Sequence, residues 1–289
     1  MPFKDRLFIL FQYLVPQHFL SQLIGGLAEC RSPWVKTLFI TWFVRRYHVD
    51  MRDALVEDAN EYESFNAFFT RSLKAEARPI ADEERAVLSP ADGTVSQVGT
   101  IKQGRLFQAK GHDYSLTALL GGDEKNALNF SSGAYATIYL SPGDYHRVHM
   151  PVAGTLREML FIPGKLFSVN NTTVRQVPTI FARNERVVCL FDTELGPMAV
   201  ILIGAMVVGS IVTSWAGRIN PPGQGVKSVR YAAFAKKNIR LERGEELGHF
   251  KLGSTVIVLF GPGQVNWKST LAAGSVVRFG EKMGERSCE

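Results

Sequence analysis

The chain has 289 residues, of which 46% are hydrophobic and 21% are charged. Its length allows one large domain or two smaller ones with a substantial core, and its charged fraction is typical of a globular protein rather than a disordered one. The net charge of +6 favours acidic partners such as nucleic acid, anionic lipid or a phosphorylated substrate. Cys30, Cys189 and Cys288 lie far apart and form no CxxC pair, which argues against a disulfide framework or a thiolate zinc site.

Residues 7–28 carry no formal charge when His18 is neutral, and the stretch is long enough to cross a bilayer. Its composition argues against a single span, because Pro16 and the pair Gly25 and Gly26 break a helix. Polar residues also interrupt the apolar run, namely Gln12, Gln17, His18, Ser21 and Gln22. No A-x-A-like cleavage site follows, so we do not expect a secretory signal. The segment predicts short amphipathic helices.

Apolar residues recur at helical spacing in two stretches, residues 19–27 and residues 34–43. Ser32 and Pro33 form a helix start signal before the second stretch. Six basic and two acidic residues occur between residues 1 and 48. Two interpretations remain open. The apolar stripes can cover the core of the protein itself, or they can insert into a membrane interface, as their tryptophans, phenylalanines and flanking arginines favour.

The helical region is predicted to continue to residue 73, and a charged connection follows at residues 74–85. Beyond it, short β-branched runs alternate with Gly and Pro turns, which predicts an antiparallel sandwich or barrel rather than βαβ units. The clearest predicted strands are residues 93–98, 135–140, 186–191, 198–203, 207–213, 255–260 and 275–279. We therefore expect an α+β fold in which amphipathic helices of a region 1–73 pack on a β-rich domain 74–289.

Two of the six histidines lie close together in the segment Tyr-His-Arg-Val-His-Met of residues 145–150. Their spacing brings His146 and His149 near one another, and charged neighbours are expected to let them titrate near neutral pH. Two histidines can bind a metal ion when a third ligand joins them, and Asp92 and His112 qualify by residue type alone. A metal-dependent hydrolase that uses His146, His149 and Asp92 is therefore one candidate function.

Nucleic acid binding receives little support, because the basic residues outside the N-terminal helices are dispersed and are not interleaved with aromatic residues. The sequence contains no GxxxxGK[ST] loop and no convincing dinucleotide fingerprint. If no chemistry is assigned, the amphipathic helices alone predict a non-enzymatic membrane-binding module.

Gly253 and Ser254 directly precede the apolar strand predicted at residues 255–260. A glycine before a serine permits a specific reaction, because a residue without Cβ leaves its carbonyl open to approach at unusual backbone angles. The serine hydroxyl can attack that carbonyl and convert the amide to an ester. Elimination and loss of ammonia then leave a pyruvoyl group. By itself the pair is a weak signal, since most Gly-Ser pairs only form turns.

The chain resembles the phosphatidylserine decarboxylase proenzymes of the shorter bacterial type. Leu-Gly-Ser-Thr at residues 252–255 matches the self-cleavage motif of that family, and residues 243–250 match the segment that leads to it. The other matching segments are residues 65–71, 89–93 (Ser-Pro-Ala-Asp-Gly), 145–151 (Tyr-His-Arg-Val-His-Met-Pro) and 184–186. These matches follow the order of the family over nearly the whole chain.

The resemblance implies a charge relay for maturation in which Asp92 orients His149 and His149 takes the proton of Ser254. It implies cleavage between Gly253 and Ser254 into a large chain, 1–253, and a small chain, 254–289. Ser254 then becomes a covalent pyruvoyl (pyruvate) cofactor that forms a Schiff base with the substrate and acts as an electron sink. The implied reaction is the decarboxylation of phosphatidylserine to phosphatidylethanolamine. We expect His146 to position the substrate and His149 to transfer protons.

The implied partners are the phosphatidylserine substrate, a membrane surface contacted by the N-terminal helices, and a second copy of the chain in a homodimer. We expect a peripheral protein on the cytoplasmic face of the bacterial inner membrane. No metal ion, nucleotide or nucleic acid partner is expected. The metal-dependent hydrolase and the non-enzymatic membrane-binding module remain the alternatives.

Overall fold

The computed structural model describes residues 3–109, 111–206, 210–219, 225–231, 238–251 and 254–287. Within these residues, helices dominate the N-terminal part and strands dominate the remainder. The N-terminal helices are α1 (Phe3–Leu14), α2 (Gln17–Ala28), α3 (Pro33–Tyr47) and α4 (Phe65–Phe69). Shorter helices lie among the strands, namely α5 (Leu116–Leu119), α6 (Glu124–Leu128), α7 (Asn171–Gln176) and α8 (Ile180–Arg183). Turns of 3-10 helix occur at Met51–Asp53, Ala59–Glu61 and Ala75–Ala77.

The boundaries of the first three helices follow from their sequence. Pro16 separates α1 from α2, and the two helices are bent by 93° relative to one another. Ser32 occupies the N-cap position of α3 and Pro33 is its first residue, although the Ser32 side chain makes no capping hydrogen bond. His48 ends α3 in the left-handed conformation. No single described helix is long and apolar enough to span a membrane, and α1 and α2 meet the length and composition of a span only as a bent pair.

The strands of the described residues pair in antiparallel fashion into four sheets. In chain order they are β1 (Ala86–Leu88), β2 (Gly93–Thr100), β3 (Arg105–Ala109), β4 (His112–Ser115), β5 (Ala134–Leu140), β6 (Arg147–His149), β7 (Gly154–Ile162), β8 (Arg186–Thr193), β9 (Gly196–Ile203), β10 (Ser210–Thr213), β11 (Gly217–Ile219), β12 (Lys227–Arg230), β13 (Arg240–Leu241), β14 (Glu246–Lys251), β15 (Ser254–Phe260), β16 (Val265–Trp267), β17 (Val276–Val277) and β18 (Lys282–Arg286).

A nine-stranded sheet forms the centre of the β-rich part, in the order β12-β7-β8-β9-β15-β5-β2-β17 with β13 also paired to β7. A four-stranded sheet has the order β11-β10-β14-β6, and a three-stranded sheet has the order β1-β18-β16. The hairpin β3-β4 forms the fourth sheet. Because the described sheets have open edges and do not close on themselves, the arrangement confirms the predicted α+β class and a layered sandwich rather than a barrel.

Both faces of the nine-stranded sheet are buried along its central strands, such as β8, β9 and β15. On β15, Val256, Val258 and Phe260 face one hydrophobic core, whereas Ile257 and Leu259 face another. The first core also receives residues of the four-stranded and three-stranded sheets, and the second receives residues of the β3-β4 hairpin and of α5 to α8. This double burial explains why the central strands are continuous apolar runs instead of alternating ones.

The predicted strands at 93–98, 135–140, 186–191, 198–203 and 255–260 are confirmed, since they lie within β2, β5, β8, β9 and β15. Of the strand predicted at 275–279, only Val276–Val277 pairs. The strand predicted at 207–213 is present as β10 from Ser210 onward, while residues 207–209 lie outside the described residues. The boundary placed after residue 73 stays a prediction.

A third hydrophobic cluster belongs to the N-terminal part alone. It joins Ala28, Ile40 and Phe43 to the aromatic residues of α4 and the segment before it. Phe43 packs edge-on against Phe65, with the ring centroids 5.0 Å apart. This cluster positions α4, and therefore the residues that follow α4, beside the candidate site described next.

Candidate active site

Ser254 is the first residue of β15, in the middle of the nine-stranded sheet. It pairs with Leu140 of β5, and the next residue, Thr255, pairs with Ile203 of β9 on the other side. The Ser254 side chain is completely buried, and its Oγ has no hydrogen-bond partner within the described part of the chain. A buried hydroxyl without a partner is unfavourable in a structural serine and is compatible with a reactive one. The other half of the predicted cleavage site, Gly253, lies outside the described residues, as does Leu252.

The predicted cleavage site lies where the chain passes from one sheet to another. β14 ends at Lys251 in the four-stranded sheet, and β15 begins at Ser254 in the nine-stranded sheet. The neighbours of these strands, β6 and β5, are connected by residues 141–146. Residues 141–146 therefore connect the same two sheets to which Lys251 and Ser254 belong. This topology brings Tyr145 and His146 to the Ser254 end of β15.

His149 lies in β6, stacked on Phe279 with the ring centroids 3.6 Å apart. Its Nδ1 is 2.9 Å from the carbonyl oxygen of Gly244, and because a carbonyl only accepts, Nδ1 carries the proton of the neutral ring. Its Nε2 is then an acceptor, 3.2 Å from the Tyr145 hydroxyl. Burial lowers the pKa of His149 from its ordinary value to about 4, although the hydrogen bond to Gly244 opposes the shift.

His146 is completely buried and lies against the Phe69 ring, with centroids 4.0 Å apart. Its Nδ1 donates to the carbonyl oxygen of Asp144 at 2.8 Å, which leaves Nε2 without its proton. Nε2 has no hydrogen-bond partner among the described residues. Burial lowers the pKa of His146 to about 3, and the positive charge of Arg71 adds to this effect. His146 is thus a neutral base with one free nitrogen.

Asp92 is held by an arginine in the connection between the two predicted regions. Arg78 donates from Nη2 to Oδ2 at 2.6 Å and from Nε to both carboxylate oxygens at 3.0 and 3.1 Å. The backbone N–H of Phe279 donates to Asp92 Oδ1 at 2.8 Å. Arg78 also donates from Nη1 to Asp53 Oδ2 at 2.8 Å, so it joins two carboxylates. The Asp92 carboxylate is therefore held in place by a bidentate partner.

Asp92 and His149 are close without being bonded in this structure. The His149 backbone N–H donates to the Pro90 carbonyl at 2.8 Å, and Phe279 contacts both residues. The Asp92 charge acts on the imidazole only as a minor influence that raises its pKa. The predicted hydrogen bond by which Asp92 orients His149 is thus replaced here by Asp92–Arg78 and His149–Gly244 bonds.

The expectation that charged neighbours let both histidines titrate near neutral pH is wrong. Their charged neighbours are outweighed by burial, which disfavours the imidazolium form. At neutral pH both rings are therefore neutral, with the proton on Nδ1 and none on Nε2. Sequence spacing could not show that both side chains are buried.

A cleft of about 260 Å³ opens beside Asp92 and Tyr145. Arg71, Arg78, Gly143 and Asp144 are among the residues that line it. Sequence reasoning assigned no role to Arg71, Arg78, Tyr145 or Phe279, although Arg71 and Tyr145 fall inside segments that matched the family. Nothing in the local sequence around Arg78 signals its bond to Asp92, because the two residues meet only through the tertiary fold.

The described residues contain no group of three or more His, Cys, Asp and Glu side chains that could hold a metal ion. The Nδ1 atoms of His146 and His149 are both bound to backbone carbonyls, which leaves one nitrogen on each ring. His112 lies in the β3-β4 hairpin, away from β6 in the pairing of the sheets. The ligand set considered for a metal-dependent hydrolase is therefore not assembled here.

A buried serine, two neutral imidazoles and a fixed carboxylate are the kinds of group that acyl and proton transfer use. A family model described as phosphatidylserine decarboxylase matches residues 65–285, and a second, described as PSD, matches residues 7–48. The chain belongs to the phosphatidylserine decarboxylase family. This confirms the resemblance and the predicted class of enzyme, a decarboxylase, and it supports neither alternative function.

Relatives of high similarity span nearly the whole chain. A phosphatidylserine decarboxylase proenzyme from Pseudomonas aeruginosa is 64% identical over 281 residues, which cover 97% of this chain and 97% of the relative. One from Ectopseudomonas mendocina is 62% identical over 281 residues, or 97% of this chain and 98% of the relative. One from Pseudomonas fluorescens is 61% identical over 282 residues, or 98% and 99% of the two chains.

Proposed function

We propose that this chain is a proenzyme that cuts itself between Gly253 and Ser254 and then decarboxylates phosphatidylserine to phosphatidylethanolamine. The observation that carries this proposal is the Ser254 hydroxyl, which is buried at the start of β15 and has no hydrogen-bond partner among the described residues. The proenzyme names of the relatives, which cover nearly the full length, support the same reaction. The products of cleavage are a large chain, 1–253, and a small chain, 254–289.

In the maturation step, Ser254 Oγ attacks the Gly253 carbonyl and gives its proton to a neutral imidazole. The C–N bond of the amide breaks as the new ester bond forms. Elimination across Cα and Cβ of residue 254 then releases the large chain as a carboxylate, and water replaces nitrogen as ammonia leaves. His149 is the base in this proposal, and the negative charge of Asp92 favours the imidazolium that forms.

Two local changes complete that relay. His149 Nε2 exchanges the Tyr145 hydroxyl for the Ser254 hydroxyl, and Nδ1 exchanges the Gly244 carbonyl for the Asp92 carboxylate. Both exchanges keep the imidazole nitrogens paired, while the Tyr145 hydroxyl and the Gly244 carbonyl give up the hydrogen bonds that they make with His149 here. Gly244 lies near the start of β14, the strand that leads to the cut.

The pyruvoyl group that residue 254 becomes supplies an electron sink for the carbanion left by carbon dioxide. A ketone oxygen carries no proton, so the dry surroundings of the Ser254 side chain fit it well. His146 is the residue we assign to substrate positioning. Its neutral Nε2, which has no partner among the described residues, can accept a hydrogen bond from the substrate ammonium and so hold the headgroup at residue 254.

The N-terminal helices hold the enzyme on the cytoplasmic face of the inner membrane as a peripheral protein. Large apolar side chains of α1 to α3 are exposed, including Trp34 at 88%, Phe3 at 79% and Leu14 at 75%. Partial immersion of such side chains contributes on the order of 10 kcal/mol. The excess basic charge of this region adds about 4 kcal/mol near anionic lipid, and salt screens this electrostatic attraction.

Detergent should therefore release the protein from membranes more completely than a high-salt wash. Full release by salt alone would exclude the apolar anchor.

The active form is a homodimer in this proposal, which rests on the resemblance to the family. Light scattering of the detergent-solubilised enzyme tests it directly. A mass of one large and one small chain, at concentrations where the enzyme is active, would exclude the dimer.

Intact mass of the purified protein tests the central claim. Two chains are expected, with the small chain starting at residue 254, blocked to Edman degradation and of a mass that fits pyruvoyl. Ser254→Ala should remain a single chain. Ser210→Ala is the matched control, because Ser210 also follows a glycine, begins a strand, and is buried with no partner for Oγ in the part of the chain that the structure describes. A wild-type chain that is active without being cut would overturn the proposal.

The same assay distinguishes the roles of His146 and His149. His146→Ala should still cut itself but should not decarboxylate, whereas His149→Ala should remain uncut. If His146→Ala also remains a single chain while its thermal unfolding matches the wild type, the roles assigned to His146 and His149 are wrong.

A further inference from the structure

Arg71 is a buried charge whose hydrogen-bonding groups are largely unused. Its side chain is only 5% exposed, two residues after the end of α4. The guanidinium lies over the Phe68 ring, with Cζ 5.3 Å from the centroid, and Nη2 donates to the Gly143 carbonyl at a long 3.4 Å. Nε and Nη1 have no partner within the described part of the chain. Burying a cation in this way is strongly unfavourable unless an anion joins it.

The carboxylates that line the same cleft are each engaged elsewhere. Asp92 and Asp53 both bind Arg78. Asp50 binds Arg52, and Asp144 accepts a hydrogen bond from the backbone N–H of Ser141 at 2.6 Å. No salt bridge joins any of these carboxylates to Arg71 among the described residues. Among the described residues, the Arg71 guanidinium therefore lies in this cleft without a salt-bridge partner of its own.

Arg71 is within electrostatic reach of the reacting groups. Its charge is one of the influences that lower the pKa of His146. Gly143, to which it donates, lies in the segment 141–146 that runs from the neighbour of Ser254 in β5 to His146. An anion bound by Arg71 would therefore sit in the cleft that Asp92, Asp144 and Tyr145 line, next to the segment that leads to His146.

We propose that Arg71 binds the phosphodiester of the lipid substrate and so places the serine headgroup at residue 254. This inference rests on the proposed function. The substrate carries two anionic groups, and the phosphodiester is the better partner for a chemical reason. An ion pair with the carboxylate would stabilise the group that must leave as carbon dioxide, and would stabilise it more in the ground state than in the transition state. A planar guanidinium with free donors is suited to a phosphate, which keeps its charge throughout the reaction.

The test uses mature, self-cleaved enzyme with dihexanoyl phosphatidylserine as substrate and dihexanoyl phosphatidylethanolamine as a ligand that has the phosphodiester but no carboxylate. Arg71→Gln should raise KM about 10- to 100-fold with kcat changed by less than about threefold. It should weaken binding of dihexanoyl phosphatidylethanolamine by a similar factor. Arg105→Gln is the matched control and should change neither value, because Arg105 pairs with Asp113 on the exposed β3-β4 hairpin.

Each other outcome is informative. Unchanged KM in Arg71→Gln overturns the proposal, and raised KM with unchanged phosphatidylethanolamine binding assigns Arg71 to the carboxylate, which also overturns it. If Arg71→Gln fails to fold, Arg71→Lys is the second variant. It keeps the positive charge without the planar guanidinium and should raise KM less than the roughly 10- to 100-fold expected for Arg71→Gln. A Lys variant that also fails to fold makes Arg71 structural and overturns the proposal. An inactive wild type would refute the proposed function, while phosphatidylethanolamine binding still tests Arg71.

Discussion

Burial controls the chemistry of both histidines in the candidate site. His146 and His149 each use Nδ1 to donate to a backbone carbonyl, which fixes the tautomer and leaves Nε2 as the basic atom. The two rings differ in the hydrogen-bond partner of Nε2. Nε2 of His149 is held by the Tyr145 hydroxyl, whereas Nε2 of His146 is free among the described residues. Tyr145 therefore regulates the access of other groups to one imidazole only.

Folding stability should fall as pH decreases below about 6.5, because both imidazoles have lowered pKa values in the folded state, about 4 and about 3. At a pH between these folded-state pKa values and the ordinary histidine pKa, the unfolded chain binds more protons than the folded chain. The contribution of the neutral histidines to folding stability is therefore complete above pH 6.5 and is lost toward pH 4. At pH 5 each histidine should destabilise the fold by about 2 kcal/mol.

Thermal unfolding at pH 7 and pH 5 measures this effect. His149→Gln and His146→Gln should each show a smaller drop in melting temperature than the wild type, with Ser254→Ala as the background to prevent cleavage. Buried carboxyl groups such as Asp144 respond in the opposite sense, but they contribute equally to wild type and variant. Equal drops in all three proteins would contradict the prediction.

Arg78 should be essential for stability because it neutralises a buried carboxylate. The side chains of Arg78 and Asp92 are 11% and 8% exposed. Arg78→Met leaves Asp92 without a cation, and breaking a buried pair in this way costs about 3–5 kcal/mol. Arg105→Met breaks the exposed pair with Asp113 and should cost less than about 1 kcal/mol. Urea unfolding of the two variants measures the difference in unfolding free energy. Similar losses in both variants would show that the Arg78–Asp92 pair contributes no more to stability than an exposed ion pair.

At the scale of elements, α1 and α2 have the reverse of ordinary amphipathicity. Their buried residues are mostly polar, and their exposed residues are mostly large and apolar. Gln12 donates to Thr173 Oγ1 at 3.1 Å and accepts from the backbone N–H of Ser168 at 2.8 Å. Gln17 accepts from the backbone N–H of Leu166 at 2.7 Å. The polar residues that interrupt the apolar run thus attach the helices to the β-rich part.

Matched substitutions on the two faces should have opposite consequences. The double variant Leu23→Gln with Leu27→Gln changes exposed residues, so unfolding free energy should change by less than about 0.5 kcal/mol for each. Its partition onto phosphatidylglycerol-containing vesicles should fall about tenfold, because apolar area is lost from the inserted face. Gln12→Met removes two buried hydrogen bonds and should cost about 1–3 kcal/mol.

Vesicle sedimentation and urea unfolding separate the two effects. Gln12→Met should sediment with vesicles as the wild type does. Strong destabilisation by the leucine changes, with membrane binding intact, would mean that these residues cover the protein's own core and would exclude the membrane interpretation.

The sequence predicted the elements better than it predicted their surroundings. Strands such as β8, β9 and β15 were identifiable because two-sided burial produces continuous β-branched runs. The orientation of α1 and α2 could not be identified in this way. Helical spacing shows that a helix has an apolar face, but it does not show whether that face contacts the core or lipid. Local sequence could not select Ser254 either, since Ser210 and Ser275 also follow glycines near strands. Only the wider motif around residues 252–255 distinguished it.

At the scale of the whole molecule, the predicted small chain is built into the centre of the fold. β15 lies between β9 and β5 along its length, and all of its residues are buried. β17 extends the same sheet beside β2, while β18 pairs with β1 and β16 in the three-stranded sheet. Cleavage before residue 254 would cut one connection and leave these pairings in place.

The two chains should therefore remain associated after maturation and separate only on unfolding. The five apolar side chains of β15 are buried on both faces, and at about 1.5–3 kcal/mol each their loss is comparable with the roughly 5–15 kcal/mol that stabilises a whole domain. Mature enzyme should elute as one species in gel filtration and resolve into two chains in denaturant.

A chain ending at residue 253 should not fold when expressed alone, since β5 and β9 would lose their shared neighbour. Co-expression of 1–253 with 254–289 should restore a folded complex. Spontaneous release of the small chain from native enzyme would contradict this view of the sheet.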